Sequence, residues 1–311
     1  MRRPALAALA AAAVLALAGC GAAGPTSSDA EFTIVATTTQ VADLTREVVG
    51  DTAGVSVSQL IRPNQSAHAF DPSVADLAAL GKADALVVSG AGLESWLADA
   101  IEASGFDGAR IDSSTGITLV DGGNPHIWTD PRNAISMVNT IAGALGNADA
   151  AHRAAFDANA SAYGSTLGQL DDWTRANIDR VPTTERLLVS NHDALVYFTA
   201  AYDITYVGSV IPSFDDNAEP SAAEIDKLVA AIKATGTRAV FSEASLNPKT
   251  AKTIASEAGV RVYSGPAALY VDSLGPPASD GATYIAAQLH NVTVILESWG
   301  VTPTAIPAEL G

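Results

Sequence analysis

The sequence predicts an α/β protein of two lobes, each a mainly parallel sheet flanked by helices, joined by one long rigid helix. Short apolar runs alternate with helical patterns along most of the chain, which indicates parallel sheets covered on both faces. One helical pattern, over residues 150–181, is longer than the others and separates two such sets. The length of 311 residues is also typical of two domains.

Residues 1–19 are predicted to be a lipoprotein signal peptide. Arg2 and Arg3 precede an apolar core that is shorter than the roughly 20 residues of a membrane-spanning helix. The core ends at Cys20, the only cysteine, so we expect Cys20 to be lipidated. The alternative is an ordinary secretory signal followed by a chance cysteine. Residues 20–30 contain mainly small and polar residues and predict a flexible tether.

The N-terminal lobe is predicted over residues 31–149. It begins with a buried strand at 32–36 and a helix at 41–49. Two Asp-Pro pairs, Asp71-Pro72 and Asp130-Pro131, each predict a helix start, because Asp can accept the free amides and Pro fits the first helical position. The other elements predicted in this lobe are strands at 55–60, 83–89, 110–112 and 117–119 and a helix at 93–103.

The linking helix is predicted over residues 150–181, where apolar residues recur every three or four positions. The C-terminal lobe, residues 182–311, repeats the alternation of strands and helices. Its predicted strands are at 186–190, 204–207, 239–242 and 260–263, and its helices are at 194–201, 222–234, 249–258 and 282–299.

The composition argues against some partners. The formal net charge of −17 would repel nucleic acid and anionic lipid headgroups, so neither is expected to bind the protein surface.

Three histidines share a context that suggests a binding site. His68, His126 and His192 each stand alone at a predicted strand-to-helix connection, where open α/β sheets bind their ligands. Their wide separation excludes a local zinc finger. A single histidine in such a fold is more often structural, and it is the shared position that favours metal binding. His152 and His290 fall inside helical patterns and are expected at the surface of helices.

Asp272 is the fourth candidate. It follows an apolar run, residues 268–271, that should end at a sheet edge. Judged from its neighbours Ser273 and Gly275 alone, a turn or cap residue is the slightly better interpretation. If Asp272 joined the histidines, three imidazoles and one carboxylate could fill a tetrahedron around zinc.

Six segments resemble one known family, the high-affinity zinc/manganese solute-binding lipoproteins of bacterial ABC importers (cluster A-I), over residues 32–299. These segments are IVATTTQVADLTREVVGD, SGAGLESWL, NPHIWTDPRNA, VSNHDALVYFTAAY, FSEASLNPKTAKTIASEAGV and LYVDSLG. The resemblance implies two lobes bridged by a rigid helix, and a metal ion held by His68, His126, His192 and Asp272. It also implies a non-enzymatic protein, anchored by lipid on the extracytoplasmic face of the cell membrane, that delivers the ion to an ABC permease. We expect a monomer, which a metallochaperone could load.

The residue at position 192 bears on the choice of metal. Imidazole suits Zn²⁺, whereas the harder Mn²⁺ favours carboxylate, and manganese-binding relatives often carry Glu at this position. His192 therefore predicts Zn²⁺, with Mn²⁺ as the alternative. Candidates for orienting the ligands are Asp130, Asn191 and Glu243, with helix capping as the better interpretation of Asp130.

Three other functions have less support in the sequence. A metallohydrolase needs an open metal position, and the sequence contains no H-E-x-x-H or G-x-S-x-G motif. A siderophore or vitamin binder would line its cleft with Arg and aromatic residues, but this chain has only 17 Lys and Arg in total. No sequence feature supports a surface adhesin.

Overall fold

The computed structural model describes residues 31–120 and 122–311. The predicted signal peptide, the lipidation site Cys20 and the tether lie outside the described residues. None of the helices in the described part of the chain combines the length and the apolarity needed to span a bilayer.

The N-terminal lobe contains a four-stranded parallel sheet in the order β2-β1-β3-β4. Its strands are β1 (Phe32–Ala36), β2 (Val55–Gln59), β3 (Ala85–Val88) and β4 (Ala109–Asp112). The helices of this part of the chain are α1 (Thr39–Val49), α2 (Val74–Leu80), α3 (Leu97–Ser104) and α4 (Pro131–Ala148). The inner strand β3 is buried along its whole length, as expected for a strand covered on both faces.

Helix α5 (Arg153–Ile178) is the longest helix in the described residues and links the two lobes. Its buried stripe includes Phe156, Leu167 and Leu170, at the three- to four-residue spacing that the sequence shows. Helix α5 packs against α1 and α4 of the N-terminal lobe and against the last helix of the chain. The structure therefore confirms a long linking helix, although it is shorter at both ends than the predicted range 150–181.

The C-terminal lobe contains two parallel strand pairs, β5 with β6 and β7 with β8, and β5 also contacts β7. These strands are β5 (Leu187–His192), β6 (Thr205–Ile211), β7 (Ala239–Phe241) and β8 (Arg261–Tyr263). The helices are α6 (Val196–Ala201), α7 (Ala222–Thr235), α8 (Lys249–Ala258) and α9 (Tyr284–Ser298). The α/β class, with parallel sheets flanked by helices, is confirmed. The predicted lobe limits at 149/150 and 181/182 stay predictions.

The largest buried apolar cluster includes residues of both lobes. It contains Ile34 of β1, Phe156 of α5 and Phe241 of β7, each about 1% exposed or less. One core thus joins the two sheets and the linking helix, and each lobe has in addition a smaller buried cluster of its own.

Two local predictions are wrong. Residues 117–119 form no strand. They pair with none of the strands in the described residues, and Leu119 is 38% exposed. Asp71-Pro72 does not start a helix, because α2 begins at Val74 with Ser73 as its cap. Ser73 Oγ accepts from Asp76 N, and the Asp76 carboxylate accepts from Ser73 N, which satisfies two amide donors at once.

Candidate metal centre

The four candidate side chains come from four separate connections. His68 lies between β2 and α2, and His126 lies between β4 and α4, just before a short 3-10 turn. His192 is the last residue of β5. Asp272 follows Leu269, which forms an isolated parallel bridge with Glu243. The four therefore lie near the carboxyl ends of parallel strands, at the edge where such sheets place ligands.

The structure brings these four side chains together. One donor atom from each of His68, His126, His192 and Asp272 lies within 4.8 Å of every other. Nε2 of His126 is 3.3 Å from Nε2 of His68 and 3.2 Å from Nε2 of His192. Oδ2 of Asp272 lies 3.1 Å from Nε2 of His192 and 3.4 Å from Nε2 of His68, and its Oδ1 lies 3.1 Å from Nε2 of His126.

These distances match the edges of a small coordination polyhedron. A tetrahedron with zinc–ligand distances of about 2.0–2.1 Å has edges of about 3.3 Å. The Nε2 atoms of His68 and His192 both lie at this distance from Nε2 of His126, as expected for donor atoms that share one cation. The set fits a divalent transition metal at its centre.

Burial strengthens this interpretation. His126, His192 and Asp272 are at most 1% exposed, and His68 is half-buried. Both carboxylate oxygens of Asp272 are buried without a well-aligned hydrogen-bond donor among the described residues. A buried carboxylate that lacks such donors is costly, and a bound cation would remove the cost.

The His192 ring is oriented by Glu243. Nδ1 of His192 lies 2.5 Å from Oε1 of Glu243, a buried residue two positions beyond the end of β7. The carboxylate accepts the Nδ1 proton, which directs the other nitrogen, Nε2, toward the centre of the cluster.

The His126 ring is oriented by Asn124, which the sequence reasoning missed. Oδ1 of Asn124 lies 2.8 Å from Nδ1 of His126. Asn124 is itself fixed, because its Nδ2 donates to the carbonyl of Asp193 at 2.6 Å and the Tyr197 hydroxyl donates to its carbonyl at 2.7 Å. The available signal was an amide side chain two residues before His126 in the NPHIW segment.

Asp272 is positioned by side chains of the other lobe. The carbonyl of Val271 accepts from Nε1 of Trp128 at 3.0 Å and from Nε2 of Gln40 at 2.6 Å. The amide of Leu274 donates to Oγ1 of Thr39 at 2.8 Å. The carboxylate is thus held by contacts that join the two lobes.

Two predicted orienting residues lie elsewhere. Asp130 caps α4, where its carboxylate accepts from the amide of Arg132 and pairs with the Arg132 guanidinium. Asn191 precedes His192 in β5, so the alternation of a strand directs its side chain to the opposite face. Within the described residues, neither side chain hydrogen-bonds to an imidazole of the cluster.

The two histidines expected at the surface of helices are also outside the cluster. His152 lies just before α5, 2.5 Å from a carboxylate oxygen of Asp149. His290 lies in α9, and its Nε2 is 2.9 Å from the carbonyl of Ala268. Both are half-buried rather than fully exposed.

The protonation of the cluster is uneven. Burial lowers the pKa of His126 to about 4, so this ring is neutral at pH 7. Burial also acts to lower the pKa of His192, but the charges of Asp272 and Glu243 outweigh it and hold that pKa well above the usual value. Although burial opposes ionisation of Asp272, His192 and His126 hold the pKa of its carboxyl well below the usual value.

Comparison with known proteins identifies relatives that are named for metal uptake or metal binding. The family described as "Zinc-uptake complex component A periplasmic" matches residues 34–298. The chain is 30% identical over 281 residues to the manganese-binding lipoprotein MntA of Halalkalibacterium halodurans, covering 88% of this chain and 91% of the relative. It is 28% identical over 284 residues to the iron-binding protein YfeA of Yersinia pestis, with 89% of each chain covered.

Solved structures share the fold. The periplasmic zinc-binding protein TroA of Treponema pallidum superimposes with a TM-score of 0.77 at 22% identity, over 86% of this chain and 99% of that one. The laminin-binding protein Lmb of Streptococcus agalactiae, described as having adhesin and metal-transporting activity, gives a TM-score of 0.75 at 25% identity, with the same coverage.

Proposed function

Because the chain belongs to the zinc-uptake complex component A family, and is thus a metal-binding substrate-binding protein of an ABC transporter rather than an enzyme, we propose that it captures Zn²⁺ at His68, His126, His192 and Asp272. The observation that carries the proposal is the convergence of three imidazoles and a buried carboxylate, whose four donor atoms all lie within 4.8 Å of one another.

Zinc is favoured by the donor set. Three neutral imidazoles and one carboxylate suit Zn²⁺, and four protein ligands complete its tetrahedron. Mn²⁺ is the second candidate, because relatives such as MntA of Halalkalibacterium halodurans and MntA of Bacillus subtilis are named for manganese. Affinity alone does not discriminate, since zinc binds more tightly than manganese at almost any such site.

The proposed setting is the outer face of a bacterial membrane. Several relatives are named lipoproteins, which agrees with an apolar N-terminal segment that ends at Cys20. We infer that lipidation of Cys20 anchors the protein there as a monomer, and that the ion passes to an ABC permease. The proposal includes a metallochaperone as the protein that loads the site.

The test of the metal site uses native mass spectrometry of protein purified without added metal. The parent is expected to retain one zinc ion. Asp272→Ala should lose it, because the variant removes the only carboxylate among the four ligands. The exposed Asp280 provides the matched control, and Asp280→Ala should retain zinc. Zinc retention by Asp272→Ala equal to the parent would contradict the site.

The test of the metal's identity compares cells with and without the gene, grown under limiting zinc or limiting manganese. Loss of the gene should lower cellular zinc and leave manganese unchanged. In cells that carry His192→Glu, zinc uptake should fall, because the donor set becomes richer in carboxylate. His152→Glu, remote from the site, is the control. A fall in manganese alone would favour the second candidate.

A further inference from the structure

His68 differs from the other two histidines of the cluster. Asn124 orients the His126 ring and Glu243 orients the His192 ring, each through Nδ1. Among residues 31–120 and 122–311, no such partner contacts Nδ1 of His68. The His68 side chain is 7% exposed, whereas those of His126 and His192 are fully buried. Its position must therefore be set through its backbone.

Ser66 supplies that backbone support. Its hydroxyl oxygen accepts from the amide of His68 at 3.2 Å and from the amide of Ala69 at 3.3 Å. A hydroxyl has two lone pairs and a single proton, and both lone pairs are used here. The Ser66 hydroxyl donates its proton to Oδ1 of Asp216 at 2.9 Å. Asp216 therefore fixes the orientation of this hydroxyl, and with it the direction of the two lone pairs that accept from the amides.

Asp216 belongs to the other lobe, in the connection between β6 and α7. It is 8% exposed, whereas its neighbour Asp215 is exposed and accepts from the amide of Asn217 within its own turn. The second oxygen of Asp216 is buried without a partner among the described residues. A buried carboxylate with an unused oxygen is costly, which points to a role other than stability.

The same connection also contacts the loop of a second ligand. The amide of Asp193, next to His192, donates to the carbonyl of Ser213 at 2.9 Å. Residues 213–216 therefore contact two ligand loops. Ser213 binds the backbone next to His192, and Asp216 binds Ser66, which supports the backbone of His68.

We propose that Asp216 is a positioning residue for His68, and that the Ser66–Asp216 hydrogen bond is a latch between the lobes that slows the release of bound metal. This inference rests on the proposed function. While the latch is closed, the His68 loop is held against the cluster. When it opens, His68 is the ligand free to withdraw, because its ring has no orienting acceptor of its own.

The experiment measures the rate at which a chelator removes zinc from the loaded full-length protein. Asp216→Ala should speed release about 10-fold, the scale of one lost hydrogen bond to a charged group. Asp216→Asn keeps an oxygen that accepts from Ser66 and should stay within about twofold of the parent. An exposed carboxylate on α7 offers the control, and Asp226→Ala should release zinc at the parent rate.

A double-mutant cycle separates the latch from a general loss of stability. Ser66→Ala alone should speed release, and adding Asp216→Ala should change it no further, because the two residues act through one bond. The unfolding midpoint of the metal-free protein should be the same in Asp216→Ala and the parent. The latch is refuted if the double variant speeds zinc release by the product of the two single effects. It is also refuted if Asp216→Asn and Asp216→Ala release zinc at equal rates. A parent that binds no zinc would instead refute the proposed function.

Discussion

At the scale of single residues, the charges of the cluster suit a bound cation. His126 is neutral, while Asp272 and Glu243 stabilise a proton on His192. A metal ion that binds Nε2 of His192 must displace this proton, because only the neutral imidazole is a ligand.

This competition predicts that metal affinity depends on pH. Burial acts to lower the pKa values of His192 and His68, but both are raised, because their contacts with the Asp272 carboxylate outweigh the effect of burial. Zinc affinity should therefore increase with pH until the pH exceeds both values, and below them it should fall by about tenfold per pH unit for each of these rings that must lose a proton. His126, with a pKa of about 4, adds no competition near neutrality. Chelator-competition titrations from mildly acidic to mildly alkaline pH measure the slope. Calorimetry in two buffers of different ionisation enthalpy counts the released protons. Binding without proton release would contradict the prediction.

Glu243 provides a second prediction at this scale. The Glu243 carboxylate orients the His192 ring and makes that ring more basic. Glu243→Gln removes this charge, so zinc affinity should fall about 10-fold. Chelator competition measures the affinity. Glu257→Gln, an exposed change on α8, is the control and should match the parent. Unchanged affinity in Glu243→Gln would show that His192 is oriented without the carboxylate.

At the scale of secondary-structure elements, each ligand lies where a strand ends and the chain turns. The helix that follows His126 is fixed by its cap, because Asp130 accepts from the amide of Arg132 and Pro131 occupies the first helical position. The role of Asp130 is therefore to define the start of α4, four residues after the ligand.

A substitution at the cap tests this role. Asp130→Ala should lower the free energy of unfolding of the metal-free protein by about 1 kcal/mol, while Asp130→Asn, which can still cap, should lose less. Urea denaturation measures the loss, and zinc titration should show affinity close to the parent for both variants. A large loss of affinity without a loss of stability would instead place Asp130 in the site.

At the scale of the whole molecule, the largest buried cluster and several hydrogen bonds join the two lobes. Val271 beside Asp272 accepts from Gln40 and Trp128, and Tyr284 at the start of α9 donates its hydroxyl proton to the carbonyl of Trp128 at 2.6 Å. Opening the lobes widely would break these contacts and expose the apolar surface against α5. The architecture favours local movement of ligand loops over wide closure.

The prediction is that metal binding changes the distance between the lobes by only a few ångströms. Spin labels at Glu102→Cys on α3 and Lys233→Cys on α7, with Cys20 replaced by Ser, report this distance. Both positions are exposed. Pulsed dipolar spectroscopy with and without zinc should give overlapping distributions. A shift comparable to domain closure in hinged binding proteins would show that α5 does not restrain the lobes.

The sequence by itself determined the α/β alternation, the long linking helix and the cap at Asp130, because each depends on residues close together in the chain. It also singled out three histidines by their shared position after strands, whereas Asp272 was selected by family resemblance and not by its neighbours. The cap of α2 and the contact between Asn124 and His126 join residues only two or three positions apart, although the sequence analysis did not select them. The convergence of the four ligand side chains and the Ser66–Asp216 bond were decided only by the tertiary structure. Ser66 and Asp216 lie 150 positions apart, and a hydrogen bond at that separation depends on how the two lobes pack, which no local pattern records.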